Sequence, residues 1–511
     1  METLRVLGHS LSPEQVWNVS QNTCRVSLDH SAREKMTHSR QFILNKMQQG
    51  DIIYGVNTGF GAFSSVRISA EQITQLQINL IRSHAVGVGQ PFSRQEVRAI
   101  MLLRAATLAN GHSGVRPEVV EKILEFLNHD IVPYVPSQGS VGASGDLAPL
   151  AHIALALMGE GDALSKDGQR IPIAPLLTAA NVAPLKLEAK EGLSLINGCQ
   201  VMTAVGLLQL RKGQNLVRSA DIIGALSLEA LRGSRKAFDP LISAVRPHPG
   251  EIQTASNLRL LLGETSEIGQ SHLHCDRVQD AYSLRCIPTV HGTVRSALEY
   301  LEKVLVTEAN SATDNPLVFP EANKILSCGN FHGMPVALAL DFACMALTTL
   351  GSISEQRLAK LINPAMSYGL PAFLIPEGGL NSGHMMTHVT AASLVSENKV
   401  LSHPACVDSI PTSADKEDHV SMGTIAACKL ARVTSNVTQI LANELLSAAQ
   451  AIDLLRPLRT SPALEAAHQL VRKHVPFAQH DRPFGRDCEI LKHLIESEEL
   501  AQTVQMVIPL P

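Results

Sequence analysis

Aromatic residues make up only 4% of this 511-residue sequence, and Trp17 is its single tryptophan. A core with so few rings has to be filled by aliphatic side chains and methionine, which suits packed helices. The nine cysteines include no CxxC pair and no cluster with histidine at the spacing of zinc ligands. We therefore expect reduced thiols in a cytoplasmic protein and no metal site.

Other features that the sequence lacks exclude further classes of protein. The 43 basic and 47 acidic residues give a formal net charge of −4 without a basic stripe, which argues against a nucleic-acid partner. The most apolar run, from Val336, is interrupted by Asp341, so we expect no membrane-spanning segment. No basic stretch followed by an apolar one opens the sequence, and we expect no secretory signal.

Long windows without proline indicate the fold class. Residues 201–238, 336–363 and 413–456 contain no proline, and their apolar residues recur at helical spacing without sustained heptads. The sequence therefore predicts a mostly α fold whose core is a bundle of long antiparallel helices. We expect two domains: residues 1–200, which carry a distinctive loop at 138–152, and residues 201–511, which contain the bundle and a C-terminal helical segment.

Local signals predict the first elements of the chain. Residues 4–7 favour a short strand. The Ser-Pro-Glu-Gln sequence at 12–15 predicts a helix start with serine as the N-cap and proline at the first helical position. Ser93 and Pro117 predict the starts of two further helices.

The loop at 138–152 reads QGSVGASGDLAPLAH, with small residues crowded around Ala143-Ser144-Gly145. A glycine-rich turn before a helix explains such a run. Backbone chemistry is a second explanation, because the Gly145 nitrogen can attack the Ala143 carbonyl and close a five-membered ring. Loss of two waters, one from the Ser144 side chain, leaves an electrophile, 4-methylideneimidazol-5-one. Attack on an amide opposes its resonance, so the loop has to be held bent.

The string GSVGASGDLAPLAH resembles the cofactor loop of the aromatic amino acid ammonia-lyase family, which includes lyases of histidine, phenylalanine and tyrosine and related aminomutases. The similarity extends over about residues 51–462 and includes the runs YGVNTGFG, EGLSLINGCQ, QDAYSLRCIP, SATDNPLVFP and GNFHG. It implies an ammonia-lyase/fumarase-like fold, and a methylideneimidazolone that forms autocatalytically from Ala143, Ser144 and Gly145 without an external cofactor. It also implies a homotetramer that acts on a small amino acid and shares active sites between subunits.

Elimination of ammonia also needs a base for the β-proton and a cation for the carboxylate. The resemblance implies that Tyr54 is the leading base and serves a neighbour's cofactor, with Tyr282 as a second candidate. It implies that Arg285 binds the carboxylate and that Gln279 lines the site. Gln279, Tyr282 and Arg285 follow one another at intervals of three residues, which would place them on overlapping faces of a helix. A packed aromatic at Tyr54 and a surface ion pair at Arg285 are the structural alternatives.

Three more residues take roles from the resemblance. Asn197 would lie beside the cofactor ring and bond the ring or the amine, although a helix cap or an Asn-Gly turn also explains it. Phe331 would pack near the ring, with a core position as the alternative. We expect Asp146 to cap the helix that follows it and, by resemblance, to help the ring form.

Two places bear on the substrate. The pair Ser83-His84 resembles the histidine-specific members, in which the histidine contacts the imidazole end, whereas phenylalanine-specific members carry an apolar pair. Glu417 suits an imidazole N–H, since a carboxylate in a pocket needs a partner, but it is also placed to cap the long helix that follows. Lys416 and His388 stand where many bacterial members have glutamine, and Lys416 could pair with Glu417.

The sequence therefore predicts elimination of ammonia from L-histidine to give trans-urocanate, the first step of histidine degradation. A tyrosine or phenylalanine lyase and an aminomutase that re-adds the amine at the β-carbon are alternatives within the family. A catalytically inactive helical assembly protein is an alternative of another class, and it predicts an unprocessed Ala-Ser-Gly loop.

Overall fold

The computed structural model describes residues 2–510, which fold into two compact units assembled from separate stretches of the chain. The first unit contains the chain up to Leu208 together with Leu301–Asp341 and Pro404–Cys428. The second contains Gln209–Tyr300, Phe342–His403 and the chain from Lys429 onward. The division into domains at residues 1–200 and 201–511 remains our proposal.

Helices dominate both units, which confirms the prediction of a mostly α fold. In chain order the α-helices of residues 2–510 are α1 (Pro13–Ser20), α2 (His30–Gln48), α3 (Ile73–His84), α4 (Arg94–Ala109), α5 (Pro117–Asn128), α6 (Leu147–Leu157), α7 (Ile173–Ala180), α8 (Glu191–Ile196), α9 (Gln200–Ala230), α10 (Pro240–Ala244), α11 (Pro249–Leu262), α12 (Glu267–Gln270), α13 (Tyr282–Arg285), α14 (Ile287–Ala309), α15 (Met334–Ile362), α16 (Met385–Leu401), α17 (Gly423–Leu454), α18 (Pro462–His474), α19 (Phe484–Glu496) and α20 (Glu499–Gln505). Short 3-10 turns lie at Gly61–Phe63, Ala70–Gln72, Arg235–Phe238, Pro320–Ala322 and Ala372–Leu374.

Short strands pair in small two-stranded sheets within the first unit. The parallel pair is β1 (Thr3–Val6) with β2 (Arg25–Leu28), and the antiparallel pairs are β3 (Val88–Pro91) with β4 (Pro136–Gln138), β5 (Asp162–Leu164) with β6 (Arg170–Pro172), and β7 (Leu317–Phe319) with β8 (Lys324–Leu326). Val88 pairs with Gln138, where the glycine-rich loop begins. This sheet therefore ties the start of the loop to the segment that follows Ser83-His84.

The predicted helix starts are confirmed. Ser12 forms a capping box with Gln15, and Ser93 forms one with Glu96, so that each serine accepts from a backbone N–H that has no partner within its helix. Pro117 occupies the first position of α5, where its missing N–H costs nothing.

The long helices predicted from the proline-free windows are also present. α9 has 31 residues, α15 has 29 and α17 has 32. In the second unit these helices meet at the fully buried carboxylate of Glu444. It accepts hydrogen bonds from Arg357 Nε at 2.6 Å, from Ser227 at 2.6 Å and from Ser354 at 2.5 Å. A buried charge needs such partners, and this one fixes how the three helices face each other in that unit.

One of these helices, α15, is long and apolar enough to cross a membrane by length and composition alone. Buried positions make up 67% of its most apolar window. A core helix of a globular protein has these same properties.

Three helices of the first unit bring distant parts of the sequence together. α3, which ends at His84, packs against α6 and α8. α6 follows the glycine-rich loop directly, and α8 ends next to Asn197. Their packing places the predicted substrate pair, the loop and Asn197 in one region.

Candidate active site

The first unit contains a cavity of about 620 Å³ where these helices meet. Its walls include predicted site residues from six separate positions: Tyr54, Ser83, His84, Ser144, Asn197 and Glu417. Apolar side chains line the rest, among them Phe60, Leu76, Leu80, Leu147 and Leu193. A largely apolar cavity with a few converging polar groups is the usual form of a small-molecule site.

The Ala143-Ser144-Gly145 loop is held bent between close backbone contacts. Ser144 has a φ of 48°, a left-handed conformation that is rare outside glycine and costs energy. The Gly198 N–H donates to the Ser144 carbonyl at 3.2 Å, and the Gly198 carbonyl accepts from the Asp146 N–H at 2.8 Å. A Cβ on Gly145 would lie 2.2 Å from the Gly198 oxygen. The loop therefore fits the ring that the resemblance implies, since its backbone is compressed and its attacking residue has to be glycine.

The segment before α17 covers the other side of the loop. The Met422 N–H donates to the Val141 carbonyl at 2.9 Å, and Ala143 packs in a small apolar cluster with Val420 and Met422. A Cβ on Gly142 would lie 2.3 Å from the Ser421 hydroxyl oxygen. The loop is thus confined from two sides by segments that each lead into a long helix.

The expectation that Asp146 caps the following helix is wrong. Asp146 occupies the N-cap position of α6, but its side chain makes no capping hydrogen bond there. Its Oδ2 accepts from the N–H groups of Val201 at 2.8 Å and Met202 at 3.1 Å, and Oδ1 accepts from the Thr424 hydroxyl at 2.5 Å. The carboxylate caps α9 instead, whose first N–H groups lack partners within the helix.

Asp146 is also electrostatically unusual. Burial raises its pKa to about 6, although the hydrogen bonds from Thr424, Met202 and Val201 favour the ionised form. Asp146, which directly follows Gly145, is thus a fully buried acid held between the starts of α9 and α17.

Glu417 faces the loop across the cavity. Its Oε1 accepts from the Ser144 hydroxyl at 3.4 Å, while Oε2 accepts from the hydroxyls of Thr412 at 2.9 Å and Ser413 at 2.6 Å. These contacts place the carboxylate in the cavity and not at the start of α17, so the capping alternative is wrong. Lys416 is exposed, and among residues 2–510 no ion pair joins it to Glu417. In this structure Lys416 therefore does not compete with a ligand for Glu417.

His84 presents one ring nitrogen to a ligand. Its Nδ1 lies 2.8 Å from the Leu80 carbonyl, which can only accept, so Nδ1 carries the proton. Nε2 is then left as an acceptor. Burial lowers the pKa of His84 below its ordinary value and favours the neutral ring, although the Leu80 carbonyl and Glu417 oppose this shift. Ser83 also donates to Leu80, at 3.0 Å, and so helps to fix the end of α3.

Tyr54 lines the same cavity as Ser144 of its own chain. Its hydroxyl oxygen accepts from the Gly61 N–H at 3.2 Å, and its ring meets Phe60 edge to face at 6.5 Å between centroids. The buried Gln77 donates to the Gly55 carbonyl at 3.3 Å and so ties the loop of Tyr54 to α3. A single chain therefore brings Tyr54 together with its own loop.

Asn197 stands at the C-terminal end of α8, as the cap alternative predicts, and it also lines the cavity. Its NH2 group donates to Asp314 Oδ1 at 3.1 Å and to the Asn315 carbonyl at 3.3 Å, and its own backbone carbonyl accepts from Arg104 at 2.9 Å. The side-chain oxygen of Asn197 is buried and has no hydrogen-bond partner within residues 2–510. A cofactor ring or a ligand donor would satisfy this atom.

Sequence reasoning missed the charged residues behind Asn197. Lys190 and Asp314 form a fully buried ion pair at 2.7 Å. Burial lowers the pKa of Lys190. Burial also raises the pKa of Asp314, but Lys190, Arg104 and a hydrogen bond from Ser113 together outweigh this effect, so the pKa of Asp314 lies below its ordinary value. Burial lowers the pKa of Arg104 to about 10. The SATDNPLVFP run, which contains Asp314, was the signal that could have pointed to this pair.

The remaining predicted residues lie elsewhere. Gln279, Tyr282 and Arg285 belong to the second unit, and only Tyr282–Arg285 is helical, so the expected helical stretch is wrong for Gln279. The Arg285 guanidinium lies 4.6 Å from the Tyr282 ring centroid, and Nε donates to the Asp280 carbonyl at 3.1 Å. Tyr282 is 71% exposed. No carboxylate among residues 2–510 pairs with Arg285, so the expected surface ion pair is not formed.

Phe331 and His388 are the other two residues that the sequence singled out. Phe331 is half-buried, and its carbonyl accepts from the Cys199 thiol at 3.1 Å. Among residues 2–510, Phe331 is not one of those that line the cavity. His388, in α16, bonds Glu355 at 2.8 Å within the second unit. Within the same described range no cluster of three His, Cys, Asp or Glu side chains is arranged to hold a metal ion.

Comparisons with known proteins identify the family of this chain. A family model described as aromatic amino acid lyase matches residues 11–473. A histidine ammonia-lyase of Sorangium cellulosum is 52% identical over 98% of this chain and 99% of its own length.

Solved structures extend the comparison to the fold. The structure of histidine ammonia-lyase from Trypanosoma cruzi has a TM-score of 0.92 at 42% identity and covers 100% of this chain and 96% of its own. Tyrosine aminomutase from Streptomyces globisporus has a TM-score of 0.94 at 38% identity, with 100% of both chains covered. This chain belongs to the aromatic amino acid lyase family.

Proposed function

We propose that the protein is a carbon–nitrogen lyase that eliminates ammonia from L-histidine and releases trans-urocanate. The observation that carries the proposal is one cavity that is lined by Ser144 of the bent loop, by its hydrogen-bond partner Glu417 and by His84. The relatives named histidine ammonia-lyase, at 52% and 42% identity, support the choice of substrate.

The electrophile in this proposal is a methylideneimidazolone formed from Ala143, Ser144 and Gly145. When present, it supplies an electrophilic methylene that makes the amine a better leaving group. The chain's own part is to hold the loop bent, through Gly198 on one side and the segment before α17 on the other. Asp146 fixes that geometry because it anchors the loop's end to the N-terminus of α9.

Recognition of the imidazole follows from the two acceptors in the cavity. Glu417 Oε1 and His84 Nε2 each accept a hydrogen bond, and neither finds a partner on a phenyl ring. Glu417 is half-buried, and an apolar ring packed against Oε1 would shield that oxygen from water without offering it a donor, so such a ring would be disfavoured. Glu417 therefore favours histidine over phenylalanine.

The β-proton and the carboxylate require further groups. Tyr54 is the leading base, since it lines the same cavity as Ser144, and Tyr282 is the second candidate. Arg285 binds the substrate carboxylate, with Gln279 beside it. These three second-unit residues complete the site in a homotetramer in which neighbouring copies supply them. In this assembly Tyr54 acts on the loop of its own chain. Phe331 packs near a cofactor ring.

We also propose that the tetramer works in the cytoplasm. The nine cysteines are scattered along the sequence without a CxxC pair, which suits reduced thiols in a reducing compartment. Size-exclusion chromatography with light scattering should give four times the mass of the chain, and a stable monomer with full activity would contradict the shared site.

A spectrophotometric product screen tests the proposed reaction. Purified protein is incubated separately with L-histidine, L-tyrosine and L-phenylalanine, with the Ser144→Ala variant as the matched control. We expect urocanate to form fastest and the variant to form none of the products. Faster formation of cinnamate or coumarate would overturn the histidine assignment.

The likeness to a tyrosine aminomutase supports an aminomutase as the second candidate. Mass spectrometry of the same reactions distinguishes the two. A lyase releases ammonia and the unsaturated acid in equal amounts, whereas an aminomutase accumulates the β-amino acid.

A further inference from the structure

A buried ion pair lies directly behind Asn197 in the wall of the cavity. Lys190 Nζ lies 2.7 Å from Asp314 Oδ2, and neither side chain is exposed. The Ser194 hydroxyl accepts from Lys190 at 2.9 Å and donates to Asp314 at 3.0 Å. Asp314 is thereby held by a cation and a hydroxyl on Oδ2, while its other oxygen, Oδ1, accepts from the Asn315 N–H at 2.7 Å and from the Asn197 NH2 group at 3.1 Å.

The partners of Asn197 decide which way its amide points. Asp314 Oδ1 and the Asn315 carbonyl oxygen lie 3.1 Å and 3.3 Å from the Asn197 side-chain nitrogen. Both are acceptors without a proton to give, so the NH2 group has to face them. The opposite orientation would set three acceptor oxygens against each other in a buried place. The Asn197 oxygen is therefore the atom left for another donor.

Asn197 lies in the region where an amine would react. Asn197 lines the cavity, and the next residue, Gly198, donates to the Ser144 carbonyl at 3.2 Å. The Asn197 oxygen is buried and has no partner within residues 2–510. An amine or ammonium group offers N–H donors and no acceptor when charged, so it matches this oxygen and would be repelled by an NH2 group.

We infer that Asp314, held by Lys190, is a positioning residue that turns the Asn197 amide so that its oxygen is offered to the substrate's amine. The inference rests on the proposed function, because elimination requires the amine to lie next to Ser144. It assigns the Lys190–Asp314 pair a part in ligand recognition beyond its part in stability.

Asp314→Asn is the variant that separates the two roles. It keeps the shape of the side chain but replaces an obligate acceptor by an amide that can also donate. The Asn197 amide is then free to turn its NH2 group toward the cavity. Such a change lowers the affinity for ligands that carry the amine and leaves the affinity for ligands without it unchanged.

Binding is measured in a Ser144→Ala background, in which no electrophile forms and L-histidine binds without reaction. Isothermal titration calorimetry compares L-histidine with 3-(imidazol-4-yl)propanoate, which lacks only the amine. We expect the parent to prefer L-histidine and Asp314→Asn to reduce that preference by about tenfold, since a hydrogen bond to a charged group is lost. The affinity for the propanoate should change by less than about twofold, because the amide does not contact it.

Removal of Asp314 alone leaves Lys190 buried without a partner, which strongly destabilises a protein. The double variant Lys190→Met, Asp314→Asn leaves no unpaired charge, and it carries the test if the single variant does not fold. It should show the same tenfold loss of preference. Glu444→Gln is the matched control, because it breaks a buried ion pair in the second unit that has no contact with Asn197. This control should lower the melting temperature and keep the preference.

The outcomes distinguish the inference from the proposed function. A parent that binds L-histidine no better than the propanoate would overturn both, since the amine is then not recognised. A preference that persists in the folded single or double variant would overturn the inference alone. Equal weakening of both ligands would likewise assign the ion pair to stability and remove its part in recognition.

Discussion

The hydroxyl of Ser144 lies 3.4 Å from Oε1 of Glu417, a residue 273 positions later in the chain. The other carboxylate oxygen is fixed by the hydroxyls of Thr412 and Ser413. The carboxylate is thus oriented by its own loop and presents a single oxygen to the cavity. The residue that we propose to select the substrate therefore lies next to the residue that we propose to form the electrophile.

Glu417→Gln should reduce activity on histidine much more than activity on phenylalanine. Glutamine keeps an oxygen for Thr412 and Ser413 but removes the charge that strengthens a bond to an imidazole N–H. We expect kcat/KM for histidine to fall by about 10- to 100-fold, which corresponds to the loss of one charge-assisted hydrogen bond. Steady-state kinetics with both substrates measure the difference.

Asp418→Asn is the control for this variant, because Asp418 is the adjacent carboxylate and is exposed. Its kinetic constants should match those of the parent. Equal losses on histidine and phenylalanine in Glu417→Gln would show that Glu417 only supports the structure.

Gly145→Ala should block maturation of the loop. The added Cβ would lie 2.2 Å from the Gly198 carbonyl oxygen, so the backbone has to move out of its compressed position. Gly168→Ala is the matched control, since Gly168 has a similar φ of 76° but no atom within 4 Å of its Cβ position. We expect the control to cost about 1–2 kcal/mol of stability for the positive φ and to mature normally.

Intact-mass spectrometry and thermal unfolding of the two glycine variants make the comparison. A Gly145→Ala protein that loses two waters as efficiently as Gly168→Ala would refute the steric account of the loop.

Asp146→Asn should change how stability depends on pH. Burial raises the pKa of Asp146 from 3.8 to about 6 in the folded protein. The folded state therefore binds the proton more tightly, and stability is lost as the pH rises from 3.8 to about 6. This contribution is on the order of 3 kcal/mol. Asparagine does not titrate, and its oxygen can still accept from Val201 and Met202.

Urea unfolding at several pH values between 4 and 7 measures this dependence. The free energy of unfolding of the variant, relative to the parent, should rise across the window. Parallel curves for the two proteins would show that Asp146 keeps an ordinary pKa.

Local interactions account for the elements that the sequence predicted well. The caps at Ser12 and Ser93 depend on a residue three positions away, so a short stretch contains all the information. The long helices follow from uninterrupted apolar spacing over many turns. The cavity residues were predicted from similarity and not from local interactions: the motifs around Tyr54, Asn197 and Glu417 resemble those of a known family.

Interactions between distant segments account for what the sequence did not predict. Asp146 looked like a cap for the next helix, but its carboxylate reaches N–H groups 55 and 56 positions later. Lys190 and Asp314 lie 124 positions apart. In the sequence alone, each looks like an ordinary charged residue at the protein surface. Only the packed structure shows that both are buried and that they meet behind Asn197.

The mass of the intact chain tests the central claim most directly, which is that the loop becomes the electrophile. The purified parent protein and Ser144→Ala are compared by mass spectrometry under denaturing conditions. We predict that the parent lacks the mass of two water molecules relative to its sequence, whereas Ser144→Ala has its full expected mass. A parent protein with the full mass of its unmodified sequence would contradict the account.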